Sequence, residues 1–228
     1  MRSRPDPLFE QQFRQSDSSL VAGVDEVGVG ACAGPVVAAA VILPRDFSLA
    51  GLNDSKLLSA RRRAALFDAI RECALAVGVG QVEVAEIDRL NIYWAAMLAR
   101  KRAVEALMLS PAQVLVDGRR RIKGLKLPQT PVVKGDRLRP SIAAASIIAK
   151  VTRDRMMEKL GEVHPGYGFE QHKGYGTLRH LTALAQLGPL VVHRHSFMPV
   201  ITAERRQPDL FHVEISKGMD ETENALLK

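Results

Sequence analysis

Apolar runs divide the N-terminal part of the chain into strands. Residues 20–30 and 36–43 are almost continuously apolar, and residues 76–84 are rich in valine. Short runs of this composition predict strands, the second of them buried on both faces. Glycines and Pro35 supply the turn between the first two strands. Because the connections are short, we expect the three strands to form an antiparallel meander.

Longer segments with an apolar period near 3.6 predict helices, and Ser59 and Ser141 are the expected N-caps of two of them. The predicted helices cover residues 59–75, 86–109, 141–163 and 177–187. Two further short strands are predicted at residues 114–116 and 131–133. Crossover connections make these two strands parallel to the first.

This order of elements predicts an α/β fold, with a mixed five-stranded sheet flanked by helices and a helical C-terminal extension. Residues 1–19 are polar and predict a leader. Residues 20–203 form the expected folded domain. Residues 204–228 have little apolar periodicity and predict a mobile acidic tail.

The amino-acid composition favours a globular protein and argues against disulfide-rich, cysteine–zinc and membrane proteins. Of the 228 residues, 46% are hydrophobic and 25% charged, which is typical of a globular chain. Cys32 and Cys73 are too few for a disulfide scaffold or a cysteine zinc site. Since no apolar run reaches membrane length and no secretory signal is present, we expect a soluble cytoplasmic protein.

The net charge points weakly to a polyanionic partner. The formal charge is +7, and six acids against four bases lie in residues 204–228, so residues 1–203 carry +9. Three basic runs stand out: Arg61–Arg63, Arg100–Arg102, and Arg119–Arg121 with Lys123 and Lys126. Such runs are commonly solvated surface, but the third directly follows Asp117 and is the best candidate for a phosphate contact.

Four acids occupy positions where solvated surface residues are not expected. Asp25 and Glu26 interrupt the first strand, Asp117 ends the fourth, and Asp154 lies within an alanine-rich helix. Each aspartate has an ordinary structural explanation, as a turn residue or as a partner of Lys150, Arg153 or Arg155. Adjacent strand residues point to opposite faces, however, so Asp25 and Glu26 place a charge on a buried side. A cluster of such carboxylates would require Mg²⁺ or Mn²⁺.

Seven short segments resemble a known family when taken in order over about residues 20–200. They are residues 22–43, 53–56, 114–118, 132–136, 143–155, 166–177 and 193–197. Together they resemble bacterial ribonuclease HII. The resemblance implies a ribonuclease H-like catalytic domain at residues 20–203. It also implies an endonuclease that hydrolyses the RNA strand of RNA–DNA hybrids and nicks duplex DNA at embedded ribonucleotides, leaving 3′-hydroxyl and 5′-phosphate ends.

The resemblance also assigns residues. The family's four metal-binding and catalytic carboxylates fall on Asp25, Glu26, Asp117 and Asp154, with Mg²⁺ or Mn²⁺ as cofactor and Asp25 shared between two metals. Tyr175 matches a tyrosine that stacks on the sugar following the ribonucleotide; a packed, half-buried tyrosine is the alternative. The remaining substrate-binding candidates are Gly28, Val29, Gly30, Lys56, Lys134, Ser146 and Lys150.

One departure from the family pattern concerns substrate binding. The family usually has Gly-Arg-Gly where this chain has Gly28, Val29 and Gly30. The glycines still allow close backbone approach to a sugar, but the arginine's phosphate contact is lost. We therefore expect weaker binding and greater salt sensitivity, and an improved apparent KM on Val29→Arg.

Alternatives remain at this stage. A catalytically weakened hybrid-binding protein on the same fold is one, and a junction resolvase, which Lys173–Tyr175 disfavours, is another. The histidines at 164, 172, 180, 193 and 195 lack zinc-site spacing and are expected to be structural. We expect a monomer. Residues 208–211 are a candidate docking segment for a replication partner, although a disordered end is the favoured explanation.

Overall fold

The structure is a computed structural model that describes residues 5–6, 10–13 and 19–206. The expected mobile tail therefore lies almost wholly outside the described residues, as does the candidate docking segment at 208–211. Five strands are present in the described part: β1 Val21–Val27, β2 Val36–Ile42, β3 Ala76–Val82, β4 Gln113–Asp117 and β5 Gln129–Val132. All five correspond to predicted strands.

The five strands form one mixed sheet in the order β3-β2-β1-β4-β5. β1 pairs antiparallel with β2, and β2 antiparallel with β3. β1 pairs parallel with β4, and β4 parallel with β5. The predicted meander and the predicted parallel strands are both confirmed.

Eight helices are present in the described residues, compared with the four predicted from the sequence pattern. They are α1 Ala60–Cys73, α2 Val84–Leu90, α3 Ile92–Glu105, α4 Gly135–Leu138, α5 Pro140–Val163, α6 Phe169–His172, α7 Leu178–Leu187 and α8 Met198–Arg206. A single 3-10 turn covers Ser55–Leu57. Ser59 caps α1 as predicted, since its side chain accepts a hydrogen bond from the backbone N–H of Arg62.

The single helix predicted over residues 86–109 is wrong. The chain forms α2 and α3 instead, with Asn91 between them at a φ of 68°. The Asn91 side chain accepts hydrogen bonds from the backbone N–H groups of Tyr93 and Trp94, at 3.0 and 3.2 Å. The apolar period continues across Asn91, so periodicity alone did not reveal the break.

The predicted cap at Ser141 is also wrong. α5 begins at Pro140, so Ser141 lies inside the first turn, and its hydroxyl has no hydrogen-bond partner within the described chain. The backbone N–H of Ser141 donates instead to Oε2 of Glu10, at 3.0 Å. A buried carboxylate from the predicted leader thus satisfies a donor at the start of α5.

Helices cover both faces of the sheet at very short range. A Cβ added to Gly80 would lie 2.3 Å from the carbonyl oxygen of Ala99, so α3 lies directly on β3. On the opposite face, a Cβ on Gly23 would lie 2.2 Å from the backbone nitrogen of Ile142 in α5. Only glycine permits backbone contacts this close. These contacts fix which face of the sheet meets which helix.

The chain divides into two compact units. The first comprises the described residues up to Val29 together with Pro35–Met156, and contains the whole sheet. The second comprises Gly30–Gly34 and the described residues from Met157 onward. The single domain over 20–203 stays a prediction. In the described part of the chain, no helix combines the length and apolar character needed to span a membrane.

Candidate active site

Asp25 and Asp117 occupy equivalent positions on two neighbouring parallel strands. Val24 of β1 is paired with Val116 of β4, and each aspartate is the next residue of its strand. Asp25 is buried, with 7% of its surface exposed, and its Oδ1 accepts a hydrogen bond of 2.8 Å from the backbone N–H of Glu26. The sheet register thus brings together two carboxylates that are 92 positions apart in the sequence.

The electrostatic environment of Asp25 disfavours its negative charge. Burial raises its pKa well above the usual range, and the carboxylates of Glu26 and Asp117 raise it further. The backbone N–H of Glu26 and the Arg100 guanidinium act in the opposite direction and are weaker. Three carboxyl groups therefore lie close enough to repel one another, and a bound cation would stabilise their charged forms.

Glu26 points to the other face of β1, as strand alternation requires. Its Oε2 accepts a hydrogen bond of 2.5 Å from Nε of Arg100 in α3, and a second Arg100 nitrogen completes the ion pair. Arg100 is itself buried, with 7% of its surface exposed. Arg100 belongs to a basic run that sequence reasoning treated as solvated surface, so its role at this carboxylate was missed.

Asp117 ends β4 and is held by the loop after β5. Its Oδ1 accepts a hydrogen bond of 2.8 Å from the backbone N–H of Gly135. Lys134, just before this glycine, adopts a left-handed conformation with a φ of 56°. The turn directs the N–H of Gly135 at the carboxylate and fixes its orientation.

Asp154 lies on α5 and is paired with Lys150 one turn earlier. Nζ of Lys150 donates to its Oδ1 at 2.7 Å, and both side chains are largely buried. This is the structural alternative that the sequence left open for Asp154. Lys150, which was predicted to contact the substrate, thus forms an ion pair with a predicted metal ligand.

The four predicted carboxylates offer only oxygen donors, which is the chemistry that Mg²⁺ and Mn²⁺ prefer. The excess negative charge around Asp25 fits such an ion. In the described part of the chain, however, no three His, Cys, Asp or Glu side chains are grouped closely enough to hold a metal. Arg100 and Lys150 neutralise Glu26 and Asp154 in this arrangement.

Comparison with known proteins decides the family. The family model for Ribonuclease HII matches residues 22–200. A protein named Ribonuclease HII from an Anaeromyxobacter species is 52% identical over 84% of this chain, and the match spans about three fifths, 61%, of that relative's length. The chain belongs to the ribonuclease HII family.

Solved structures agree with this assignment. The ribonuclease H2 of Pyrococcus horikoshii is similar with a TM-score of 0.70 and 27% identity, over 83% of this chain and 99% of that one. An Archaeoglobus fulgidus structure described as a PCNA:RNase HII complex is similar with a TM-score of 0.58 and 29% identity, over 77% and 93%. Family membership confirms the predicted fold and the predicted class of enzyme, a metal-dependent endoribonuclease. It supports endonuclease activity on the RNA of RNA–DNA hybrids.

Two acids beside the ribonuclease HII carboxylates were not predicted. Asp54 is 1% exposed and accepts hydrogen bonds from the backbone N–H of Lys56 at 2.9 Å and from Nε of Arg137 at 3.2 Å. Asp136 is buried; burial, then Asp54, then Asp117 raise its pKa to about 6. Both lie in segments that carry the family resemblance, 53–56 and 132–136. Their position in these segments was the sequence feature that could have identified them as site residues.

The residues of the first unit that were predicted to contact the substrate differ in how exposed they are. Val29, Lys56 and Lys134 are exposed. Ser146 is buried, and its hydroxyl lies 2.7 Å from that of Ser55, so a substrate contact there would compete with an internal hydrogen bond. Gly28 has a φ of 90°, and an added Cβ would lie 2.2 Å from Nε of Arg153.

Gly30 and Tyr175 belong to the second unit. Gly30 is exposed, with open space where a Cβ would stand. Tyr175 is half-buried, and its backbone is bridged to Ala31. The preceding Gly174 has a φ of 80°, and its carbonyl oxygen accepts a hydrogen bond of 2.8 Å from the backbone N–H of Cys32. The backbone around Tyr175 is therefore fixed on both sides.

Proposed function

We propose that this chain hydrolyses the RNA strand of RNA–DNA hybrids and nicks duplex DNA on the 5′ side of single embedded ribonucleotides, giving 3′-hydroxyl and 5′-phosphate ends. Asp25, Glu26, Asp117 and Asp154 are the proposed catalytic and metal-binding residues, with Mg²⁺ or Mn²⁺. The observation that carries the proposal is the buried Asp25 between Glu26 and Asp117, in a member of the ribonuclease HII family.

The protein's own groups perform the positioning in this reaction. Two bound divalent ions would supply Lewis-acid stabilisation of the transferring phosphoryl group and an activated water. Asp25 and Asp117 present their carboxylates from neighbouring strands of the sheet. The backbone N–H of Gly135 fixes the orientation of the Asp117 carboxylate. Arg100 and Lys150 pair with Glu26 and Asp154 and balance their charge.

Substrate contacts are proposed at Gly28, Val29, Gly30, Lys56, Lys134, Ser146, Lys150 and Tyr175. Phosphate contacts at the lysines would set position and salt dependence without reading base sequence. Tyr175 would stack on the sugar beside the ribonucleotide. A cytoplasmic location stays a prediction. Docking of a replication partner to residues 208–211 is also proposed, in line with the PCNA complex of the Archaeoglobus relative.

A single cleavage assay tests the proposed function. A duplex with one ribonucleotide and a full RNA–DNA hybrid are incubated with Mg²⁺ or Mn²⁺, beside the variant Asp117→Asn. We expect cleavage 5′ to the ribonucleotide that the variant abolishes. Binding without cleavage under either metal would favour the non-catalytic hybrid-binding alternative. Cleavage of an all-DNA duplex at the same rate would contradict the proposed specificity.

A further inference from the structure

Two exposed aromatic rings stand at the start of α3. Tyr93 and Trp94 each have 39% of their surface exposed, and their rings meet edge to face with centroids 4.9 Å apart. Asn91 caps the helix at this point and fixes the backbone of both residues. Large aromatic side chains exposed side by side and held rigidly are typical of interaction surfaces.

A cationic side chain from the loop after β4 lies over each ring. The guanidinium carbon of Arg120 lies 5.4 Å from the centroid of the Tyr93 ring, and its Nη1 donates to the Tyr93 hydroxyl at 3.3 Å. Nζ of Lys123 lies 4.5 Å from the centroid of the Trp94 ring. Arg120 and Lys123 are both exposed. The rings thus hold two solvent-facing positive charges in place before any partner arrives.

This surface is continuous with the carboxylate site. One groove of about 350 Å³ has Glu26 and Asp117 in its lining together with Val29, Tyr93, Arg119 and Arg120. The neutral Val29 therefore shares a groove with arginines from another segment. A charge missing at position 29 can be supplied from residues 119 and 120.

We propose that Arg120 and Lys123, braced on Tyr93 and Trp94, bind the phosphodiester backbone of one strand of the duplex, and that Arg120 makes the phosphate contact that Val29 cannot. This inference rests on the proposed function. Phosphates are the occupant because the exposed groups are cations, and because the cations already cover the aromatic rings on which bases would stack. A polyanion matches this surface in charge better than a protein partner does.

Trp94 gives a direct test because it is the only tryptophan in the sequence. Full-length Asp117→Asn protein is titrated with a labelled RNA–DNA hybrid, following label anisotropy and tryptophan emission together. We expect the emission to change with the same midpoint as the anisotropy. An Arg45→Ala control, changed at an exposed arginine outside the three basic runs, should leave the midpoint almost unmoved. Arg120→Ala should shift it to higher concentration.

Steady-state cleavage gives the second test. Arg120→Ala in the otherwise native chain should raise KM about tenfold with little change in kcat, and should lower the slope of log KM against log salt by about one. Val29→Arg should restore most of the lost KM in the Arg120→Ala background and improve KM less in the native background. Such non-additivity is expected when two side chains serve the same phosphate.

Two results would contradict the proposal separately from the proposed function. If the hybrid binds and is cleaved while tryptophan emission stays constant and Arg120→Ala keeps its KM, the surface does not contact the duplex and the inference fails. If Val29→Arg improves KM equally in both backgrounds, Arg120 does not replace the missing arginine. A native chain that neither binds nor cleaves hybrid would overturn the proposed function and this inference with it.

Discussion

Nε2 of His193 lies 3.2 Å from Nε2 of His180, and the surrounding hydrogen bonds decide which of the two donates. The backbone N–H of Leu190 donates to Nδ1 of His193, so the proton of that ring is on Nε2. His193 therefore donates to His180, whose Nδ1 donates to the carbonyl oxygen of Tyr175 at 3.0 Å. Both rings are fully buried and neutral, and they hold the backbone of the predicted sugar-stacking residue.

This pair makes the stability of the second unit depend on pH. Burial, followed by repulsion from His172, lowers the pKa of His180 to about 4; burial, followed by repulsion from His180, lowers that of His193 to about 3. Below about pH 6.5 the unfolded chain binds protons that the folded pair excludes. The free energy of unfolding should fall by about 2 kcal/mol for each histidine between pH 7 and pH 5.

Urea unfolding followed by far-UV circular dichroism at pH 7 and pH 5 measures this effect. His193→Gln should start from a lower stability and lose less of it on acidification. A native chain with the same midpoint at both pH values would show that the pair does not stay neutral.

The buried charge at Asp25 should cost stability and serve metal binding. Asp25→Asn removes a carboxylate that burial, Glu26 and Asp117 all disfavour. We expect a gain of about 1 kcal/mol in the free energy of unfolding, together with loss of cleavage. Thermal unfolding followed by Trp94 emission measures this, because Trp94 lies in the same unit.

Added Mg²⁺ tests the metal role without an activity assay. Mg²⁺ should raise the midpoint of the native chain, because a ligand that binds the folded state stabilises it, and should raise that of Asp25→Asn less. Asp46→Asn makes the same chemical change at an exposed position and should behave like the native chain. An equal Mg²⁺ response in native chain and Asp25→Asn would count against Asp25 as a ligand.

Glu10 should stabilise the start of α5. Glu10→Ala removes the acceptor for the N–H of Ser141 and should lower the free energy of unfolding by about 1 kcal/mol. Glu10→Gln keeps an oxygen acceptor and should lose less. Urea midpoints from tryptophan emission compare the three proteins, and identical midpoints would mean that this contact contributes no stability.

Asn91 should be required for the break between α2 and α3. Asn91→Ala loses two accepted hydrogen bonds and puts alanine at a φ of 68°, which should cost about 1–2 kcal/mol. Asn91→Asp keeps the acceptor and should cost less. Because Trp94 is one of the capped residues, its emission spectrum should shift in Asn91→Ala and stay near the native one in Asn91→Asp. The same spectrum in all three proteins would contradict the capping role.

Features set by neighbouring residues could be predicted from the sequence, whereas features set by contacts between distant segments could not. The β1 and β2 runs were predictable because a buried strand must be apolar along its whole length. Ser59 was predictable as a cap because its acceptor serves an N–H three residues later. The break at Asn91 was missed because the apolar period is the same on both sides of it. Ser141 was misassigned because its N–H is satisfied by Glu10, 131 positions away.

For the candidate site, the sequence by itself determined which carboxylates are available and, through ordered motifs, the family to which they belong. The tertiary structure alone decided the register of the two parallel strands that sets Asp25 directly beside Asp117. It alone decided that Arg100 is a buried partner of Glu26, because a basic run looks the same in sequence whether its side chains face water or a sheet. Long-range pairing and burial depend on the packing of distant segments, which no local pattern records.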